Sequence, residues 1–330
     1  MSTEGGGKAI IAALIANLGI ALTKLVAWLL TGSSSMLAES IHSLADSGNQ
    51  LLLLLGGRRA KKPATPEHPF GYGRERYIYA FIVSIVLFSV GGLFALYEGY
   101  HKIKEPEAFH SWQWVPIAVL LVAIALEGYS FTTAMRETNK SRGSSSLITF
   151  IRRAKAPELP VVLLEDTAAL LGLVFALFGV GLTLATGNGI WDGVGTIMIG
   201  VLLVAVAIFL AIETQSLLLG EGANAEDLAK IEKAITSDGD TVERIIHMKT
   251  LYLGPDELLV AAKIAVHHDD TAGKVADAID AAETRIRSAV PVARVIYLEP
   301  DIYHAGKTKS ESAEEAAPAA EEGATHGAAH

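Results

Sequence analysis

The stretch Ser34–Leu55, SSMLAESIHSLADSGNQLLLLL, has the length of a membrane-spanning helix and nevertheless carries three ionisable residues. Glu39, His42 and Asp46 are spaced i, i+3 and i+7, so an α-helix places them on one stripe. An ionisable side chain at the centre of a bilayer costs about 2.5–3.5 kcal/mol on insertion scales, and a span retains one only where it is paired, solvated or used. The stretch therefore predicts a helix in a functional part of a membrane protein.

Five further apolar stretches, each long enough to cross a bilayer, surround this segment in the chain. The composition agrees, since 51% of the 330 residues are hydrophobic and 19% are charged. We therefore predict an α-helical membrane protein with six transmembrane helices within residues 9–216, and we exclude a purely soluble enzyme. The six predicted spans are Ala9–Leu30, Ser34–Leu55, Tyr77–Tyr100, Trp114–Met135, Pro160–Ala185 and Ile190–Gln215.

The basic residues of the loops predict the orientation of the spans, because Lys and Arg near span ends are retained on the cytoplasmic side. The loops between spans 2 and 3 and between spans 4 and 5 hold six Lys or Arg each, whereas the alternate loops hold only Lys102 and Lys104. Both termini are therefore predicted to be cytoplasmic, including the amino-terminal residues 1–8. The first span is too long for a signal-peptide core, and the lack of an amphipathic Arg- and Ser-rich leader favours a bacterial plasma membrane.

The lengths of the connections predict which spans are neighbours. Thr31–Ser33 and Thr186–Gly189 are very short, so spans 1 and 2, and spans 5 and 6, are predicted to be antiparallel neighbours. The longest polar connection, Arg136–Ala156, is basic and is predicted to be a mobile loop.

The carboxy-terminal part of the chain changes its periodicity and its charge. Of the net charge of −9, residues 1–216 contribute +1 and residues 217–330 contribute −10. Residues 217–303 predict a small cytoplasmic α+β domain of αββαβ order, ferredoxin-like or heavy-metal-domain-like, with two helices on one face of a three-stranded sheet. Residues 304–330 are predicted to be a disordered acidic tail. The predicted elements are Ala225–Ser237, Val242–Leu253, Glu257–Val266, Ala272–Ala289 and Val292–Leu298.

The composition also excludes several functions. The chain has no cysteine, so it has no disulfide, thiolate zinc site or cysteine nucleophile. The acidic soluble part has no long basic cluster, which argues against a nucleic-acid partner. It also carries no phosphate loop, nucleophile elbow or catalytic dyad. The protein is therefore predicted not to be an enzyme and to need no catalytic cofactor.

Span 5 is the second span that concentrates ionisable residues, because Glu165 and Asp166 lie just inside its cytoplasmic start. Asp46 and Asp166 lie about 14 Å and about 9 Å from the cytoplasmic ends of their spans, which are similar depths. An imidazole and two or three carboxylates suit a divalent transition metal. We therefore predict a metal site formed by His42, Asp46 and Asp166.

Other interpretations of the charged residues stay open from the sequence. Glu39 and Glu165 are further candidate ligands, each as able to solvate a helix end or cavity mouth as to touch the metal. Asp166 could instead form a salt bridge with Lys24 of span 1. Lys24 could equally serve contacts between helices. Glu127 is expected to reach water from a span end.

The combined pattern resembles the cation diffusion facilitator family. The similarity covers residues from about 9 to 303 and rests on the six spans, the αββαβ domain, His42-x3-Asp46 and the acids of span 5. The motif His68-Pro69-x-Gly71-x-Gly73-x-Glu75-x-Tyr77 before span 3 adds to it. The stretches Glu39–Gln50, ESIHSLADSGNQ, and Leu163–Thr167, LLEDT, are most similar to the zinc transporter nine-like branch of the family.

This resemblance implies a secondary active transporter. The family exports Zn²⁺, Mn²⁺, Fe²⁺, Co²⁺ or related ions from the cytoplasm in exchange for protons, by alternating access, as a homodimer whose cytoplasmic domains pair. Zn²⁺ is the cargo that we expect here, with Mn²⁺, Fe²⁺ or Co²⁺ as the alternatives. A passive divalent cation channel and a membrane-anchored scaffold are the competing interpretations from other functional classes.

The chain departs from the family pattern at two points. The family's usual His or Asp four residues before the span-5 ligand is Val162 here, so Glu165 or Glu39 would take its place. Lys263 and Tyr297 occupy two positions where many relatives bind a regulatory metal, so that site is not expected here. The histidines of the soluble part stay open as surface ligands; they are His247, His267 and His268.

Overall fold

The computed structural model describes residues 3–106, 114–143, 146–237 and 241–304, and their side chains except those of residues 3–16 and 141. The described chain forms two compact units, the first ending at Gly220 and the second beginning at Glu221. The predicted disordered tail lies outside the described residues from residue 305 onward.

The first unit is a helical bundle. Its helices are α1 (Thr3–Thr31), α2 (Ser34–Arg59), α3 (Glu75–Val86), α4 (Phe94–Lys104), α5 (Val115–Arg142), α6 (Leu147–Arg153), α7 (Glu158–Thr186) and α8 (Ile190–Leu219). A π-helical segment, Leu87–Leu93, joins α3 to α4 and makes them one continuous span. The helices run past the predicted apolar stretches; α1, for example, begins at Thr3 rather than at Ala9.

Four of the described helical segments are long and apolar enough to cross a membrane. They are Glu75–Lys104, Val115–Lys140, Glu158–Thr186 and Ile190–Leu219. The part of α1 whose side chains are described, Asn17–Thr31, is apolar but shorter. Helix α2 has the length of a span, but its Glu, His, Asp and Ser residues lower its hydropathy.

The short connections determine the neighbours as predicted, since α1 packs along α2 and α7 along α8. The Arg136–Ala156 connection differs from the predicted mobile loop, because α5 continues to Arg142 and α6 follows at Leu147. The Ser146 side chain accepts a hydrogen bond from the backbone N–H of Thr149 and so caps α6.

Glycines allow α4 and α8 to approach each other at the level of their backbones. A Cβ atom on Gly99 would lie 2.8 Å from the backbone nitrogen of Ile197, and one on Gly193 would lie 3.0 Å from the carbonyl oxygen of Gly99. Any larger residue at either position would push the two helices apart.

The second unit has the predicted αββαβ order. Its elements are α9 (Ala225–Thr236), β1 (Val242–Gly254), β2 (Glu257–Val266), α10 (Ala272–Ala289) and β3 (Ala293–Asp301). The sheet order is β1-β2-β3, with β1 antiparallel and β3 parallel to β2. Helices α9 and α10 contact each other and cover one face, over a core that includes Ile231, Leu258, Val260, Ile286 and Ile296.

A buried carboxylate fixes the start of α2 against α8. Asp192, in the first turn of α8, is fully buried and accepts hydrogen bonds from the backbone N–H of Ser34 at 2.7 Å and of Ser35 at 3.3 Å. The hydroxyls of Ser33 and Ser34 also donate to it. An anion satisfies the open N–H groups at a helix start and interacts favourably with the helix dipole. Sequence reasoning gave Asp192 no role, although it is an isolated acid in an apolar span.

Replacement of Asp192 by Ala should lower the thermal stability of the detergent-solubilised protein, because buried N–H groups of α2 lose their acceptor. Hydrogen bonds to charged groups contribute about 1.5–3 kcal/mol each, so we expect a clear drop in Tm, and a smaller one for Asp192→Asn. Thr186→Ala, at the exposed end of α7, is the control and should leave Tm nearly unchanged. Equal Tm values for Asp192→Ala and the control would contradict this role for Asp192.

Candidate metal centre

The polar stripe of α2 lies inside the bundle. His42 is 1% exposed and Asp46 is 9% exposed, and His42 Nδ1 lies 3.5 Å from Asp46 Oδ1. Both ring nitrogens of His42 and Oδ1 of Asp46 are buried without a hydrogen-bond partner among the described residues. Buried polar atoms are normally satisfied, so these three atoms form an unsatisfied donor set suited to a cation.

The two acids of α7 face different neighbours. Glu165 is buried, and its Oε1 accepts a hydrogen bond from Asn49 Nδ2 of α2 at 2.7 Å. Asp166 is half-buried, and its Oδ2 accepts one from the Ser130 hydroxyl of α5 at 3.1 Å. Adjacent helical residues point about 100° apart, which is why one acid faces α2 and the other α5.

Glu39 is paired with a lysine of α1. Lys24 Nζ lies 2.9 Å from Glu39 Oε2, and both side chains are buried. The lysine therefore pairs with Glu39, where the sequence had left a pairing with Asp166 open. The other oxygen, Oε1, faces α7 so closely that a Cβ atom on Gly172 would lie 2.7 Å from it.

Glu127 of α5 belongs to the same polar interior, contrary to the expectation that it reaches water. It is 8% exposed and lies three residues before Ser130, whose hydroxyl donates to Asp166. The prediction for Glu127 is wrong because its position along α5 says nothing about which face of the helix the neighbouring spans cover.

The predicted ligands thus lie on two helices, α2 and α7, that pack against each other. His42 and Asp46 are in contact, and Glu165 of α7 is joined to α2 by its hydrogen bond with Asn49. Within the described residues, however, no three His, Asp or Glu side chains are arranged tightly enough to hold a metal ion. A side-chain movement, such as that of Asp166 away from Ser130, would be needed to close the coordination.

In the second unit, two of the residues considered as possible regulatory or surface metal positions, Lys263 and His267, form ion pairs. Lys263 Nζ lies 3.4 Å from Glu299 and 3.5 Å from Asp301. His267 Nδ1 lies 2.9 Å from Glu243 Oε1. The ammonium group of Lys263 between two carboxylates makes this position unfavourable for a second cation.

Comparisons with known proteins show which proteins the chain is similar to. A family model described as the cation efflux transmembrane domain matches residues 10–219, which include both spans with the predicted ligands. The chain is 33% identical to "Proton-coupled zinc antiporter SLC30A9, mitochondrial" of Xenopus laevis, over 80% of this chain and 47% of that protein. It is 32% identical to the Homo sapiens protein of that name, over 79% and 46%. "Metal tolerance protein C4" of Arabidopsis thaliana is 28% identical over 78% of this chain and 56% of its own. The chain spans about half the length of these relatives.

A methyl group on Gly172 should destabilise the bundle, because Glu39 is held by Lys24 and has little room to move away. We expect Gly172→Ala to cost about 1–3 kcal/mol, as overpacking of a buried site does. Gly181→Ala, on the same helix, is the matched control, since no atom lies within 4 Å of its added Cβ. This control should be neutral or stabilising by up to about 1 kcal/mol, as Gly→Ala is in a helix interior. Equal Tm values for the two variants would show that Glu39 is not confined.

Proposed function

The chain belongs to the cation efflux, or cation diffusion facilitator, family and to its SLC30A9-like branch, and on this basis we propose that it exports Zn²⁺ from the cytoplasm in exchange for protons. It is an integral multi-pass membrane protein and a transporter rather than an enzyme. The observation that carries the proposal is the buried His42–Asp46 pair, in which both ring nitrogens of His42 and Oδ1 of Asp46 have no hydrogen-bond partner among the described residues.

The transport site consists of His42 and Asp46 from α2 and Asp166 from α7. Asp166 exchanges its hydrogen bond with Ser130 for the cation, and Glu165, oriented by Asn49, is the candidate for a fourth ligand. Glu39 is paired with Lys24 and is therefore the weaker candidate for the fourth ligand. One imidazole with carboxylates suits Zn²⁺, while the carboxylate-rich set also accommodates Mn²⁺, Fe²⁺ or Co²⁺.

Protons and the cation compete for the same atoms in this proposal. A metal ion requires the imidazole to be neutral and the carboxylates to be deprotonated, so proton binding expels it. Export follows when the site opens alternately to the two sides of the membrane, as the ligand-bearing helices move against the rest of the bundle.

The proposed transporter has six membrane spans, which are the four long apolar helical segments together with α1 and α2. The basic residues of the loops support a cytoplasmic position for both termini, and with them for the αββαβ unit. The names of the SLC30A9 relatives place those proteins in mitochondria, and a bacterial plasma membrane stays a prediction for this chain.

We also propose a homodimer that pairs through the sheet of the second unit. The face away from α9 and α10 carries an apolar row across all three strands, in which Leu251 pairs with Leu259 and Leu259 with Val295. Beside this row, Tyr297 is 59% exposed. A self-complementary face of this kind suits a two-fold contact between copies.

Transport by the purified full chain in proteoliposomes tests the site. His42→Ala, Asp46→Ala and Asp166→Ala should each reduce pH-driven Zn²⁺ uptake by about 10-fold or more, because each removes a ligand. Glu98→Gln, a carboxylate change elsewhere in the bundle, should retain uptake. Competition among Zn²⁺, Mn²⁺, Fe²⁺ and Co²⁺ identifies the cargo. Unchanged flux in the ligand variants would refute the site, and flux without proton counter-movement would favour a channel.

Tyr297→Glu should weaken the proposed dimer, since a two-fold contact would bring two like charges together. Such a juxtaposition costs several kcal/mol. Light scattering of the full chain in detergent should show the protein mass falling from that of two chains toward that of one. Ala276→Glu, on the exposed side of α10, is the control and should stay dimeric. A wild-type protein that is monomeric would rule the dimer out.

A further inference from the structure

A lysine is buried beside the proposed transport site without being one of its ligands. Lys24 of α1 is 1% exposed, and its Nζ donates hydrogen bonds to Glu39 Oε2 at 2.9 Å and to Ser43 Oγ at 2.8 Å. Both partners are on α2, Glu39 three residues before His42 and Ser43 directly after it. The ammonium group is therefore anchored to α2 on either side of the proposed ligand.

Its positive charge lies at the level of His42 along α2, because its two hydrogen-bond partners precede and follow that residue in the chain. A fixed ammonium repels any other cation within a few ångströms, most strongly where water is scarce. Lys24 therefore limits how close to Glu39 a transported ion can come.

Glu39 would otherwise be well placed to bind that ion. It shares one stripe of α2 with His42 and Asp46, and its Oε1 faces α7 at Gly172 without a hydrogen-bond partner among the described residues. A cation between α2 and α7 could be reached by this carboxylate if Oε2 were released. The ion pair with Lys24 keeps Oε2 of Glu39 away from such a cation.

We propose that Lys24 is a selectivity determinant, which withholds Glu39 from the transported cation and so keeps the site from becoming too rich in carboxylates. This rests on the proposed transport function. Imidazole favours Zn²⁺, whereas each added carboxylate oxygen shifts the preference toward a harder ion such as Mn²⁺. With Glu39 withheld, the imidazole of His42 is a larger share of the ligands, so Zn²⁺ is preferred over Mn²⁺.

A purely structural ion pair would behave differently. If the pair only held α1 to α2, its loss would lower stability and reduce uptake of all metals alike. If Lys24 controls selectivity, its loss changes the ratio of Mn²⁺ to Zn²⁺, and the change requires Glu39. The ratio is independent of how much folded protein each preparation contains.

Uptake of Mn²⁺ and Zn²⁺ by the full chain in proteoliposomes distinguishes the two roles. Lys24→Met should raise the Mn²⁺/Zn²⁺ ratio, on the order of tenfold, as expected for coupled residues in contact. Lys24→Met with Glu39→Gln should return the ratio toward the wild-type value, because the released carboxylate is gone. A ratio that stays unchanged in Lys24→Met, or stays raised in the double variant, would overturn the proposal.

Two milder variants cover the case in which Lys24→Met does not fold. Ser43→Ala removes one anchor of the ammonium and keeps both charges, so the ratio should shift in the same direction by a smaller factor. Lys24→Arg keeps the charge and should preserve the wild-type ratio. A Ser43→Ala protein with the wild-type ratio would count against the proposal.

Calorimetric titration of the detergent-solubilised variants with Mn²⁺ or Zn²⁺ alone separates this proposal from the transport function. The ratio of the two binding constants should follow the same order as the uptake ratios. If wild-type protein binds both metals but moves neither across the membrane, the transport proposal fails while the binding ratios still decide the role of Lys24. If wild-type protein transports Zn²⁺ and the ratios do not change, only the role of Lys24 is wrong.

Discussion

A charge inside an apolar bundle must be compensated locally, and this constraint organises the membrane unit. Three buried acids each accept a hydrogen bond from another helix: Asp192 from the serines at the start of α2, Glu39 from Lys24, and Glu165 from Asn49. These contacts join α2 to α8, α1 and α7. The polar groups that make α2 too hydrophilic to stand out as a span are therefore the same groups that hold it in the bundle.

The His42–Asp46 pair differs from these compensated acids. Both ring nitrogens of His42 and Oδ1 of Asp46 are buried without a hydrogen-bond partner among the described residues. Because an unsatisfied buried polar group costs free energy, such atoms persist where a ligand uses them. This contrast with Asp192 and Glu165 supports His42 and Asp46 as ligands in the proposed site.

The contacts between helices of the first unit are of two physical kinds. Around the proposed site they are hydrogen bonds and ion pairs, between side chains of α1, α2, α5 and α7. Between α4 and α8 they are close backbone approaches at Gly99 and Gly193. Buried ion pairs resist separation because each charge would lose its compensation, and close-packed backbones resist displacement because no free space separates them. Both kinds of contact therefore hold the helices in place.

The sequence by itself determined the four apolar spans that follow α2, the neighbours joined by short connections and the αββαβ order. Each of these depends on local periodicity and chain length, which need no knowledge of distant contacts. The spacing of Glu39, His42 and Asp46 likewise predicted one stripe of α2. Only the tertiary structure decided which acids are compensated: Lys24 pairs with Glu39 rather than Asp166, Glu127 is buried, and Asp192 caps α2 from a position 158 residues away. These outcomes depend on how the helices are rotated against one another, and that rotation is determined by packing between segments far apart in the chain.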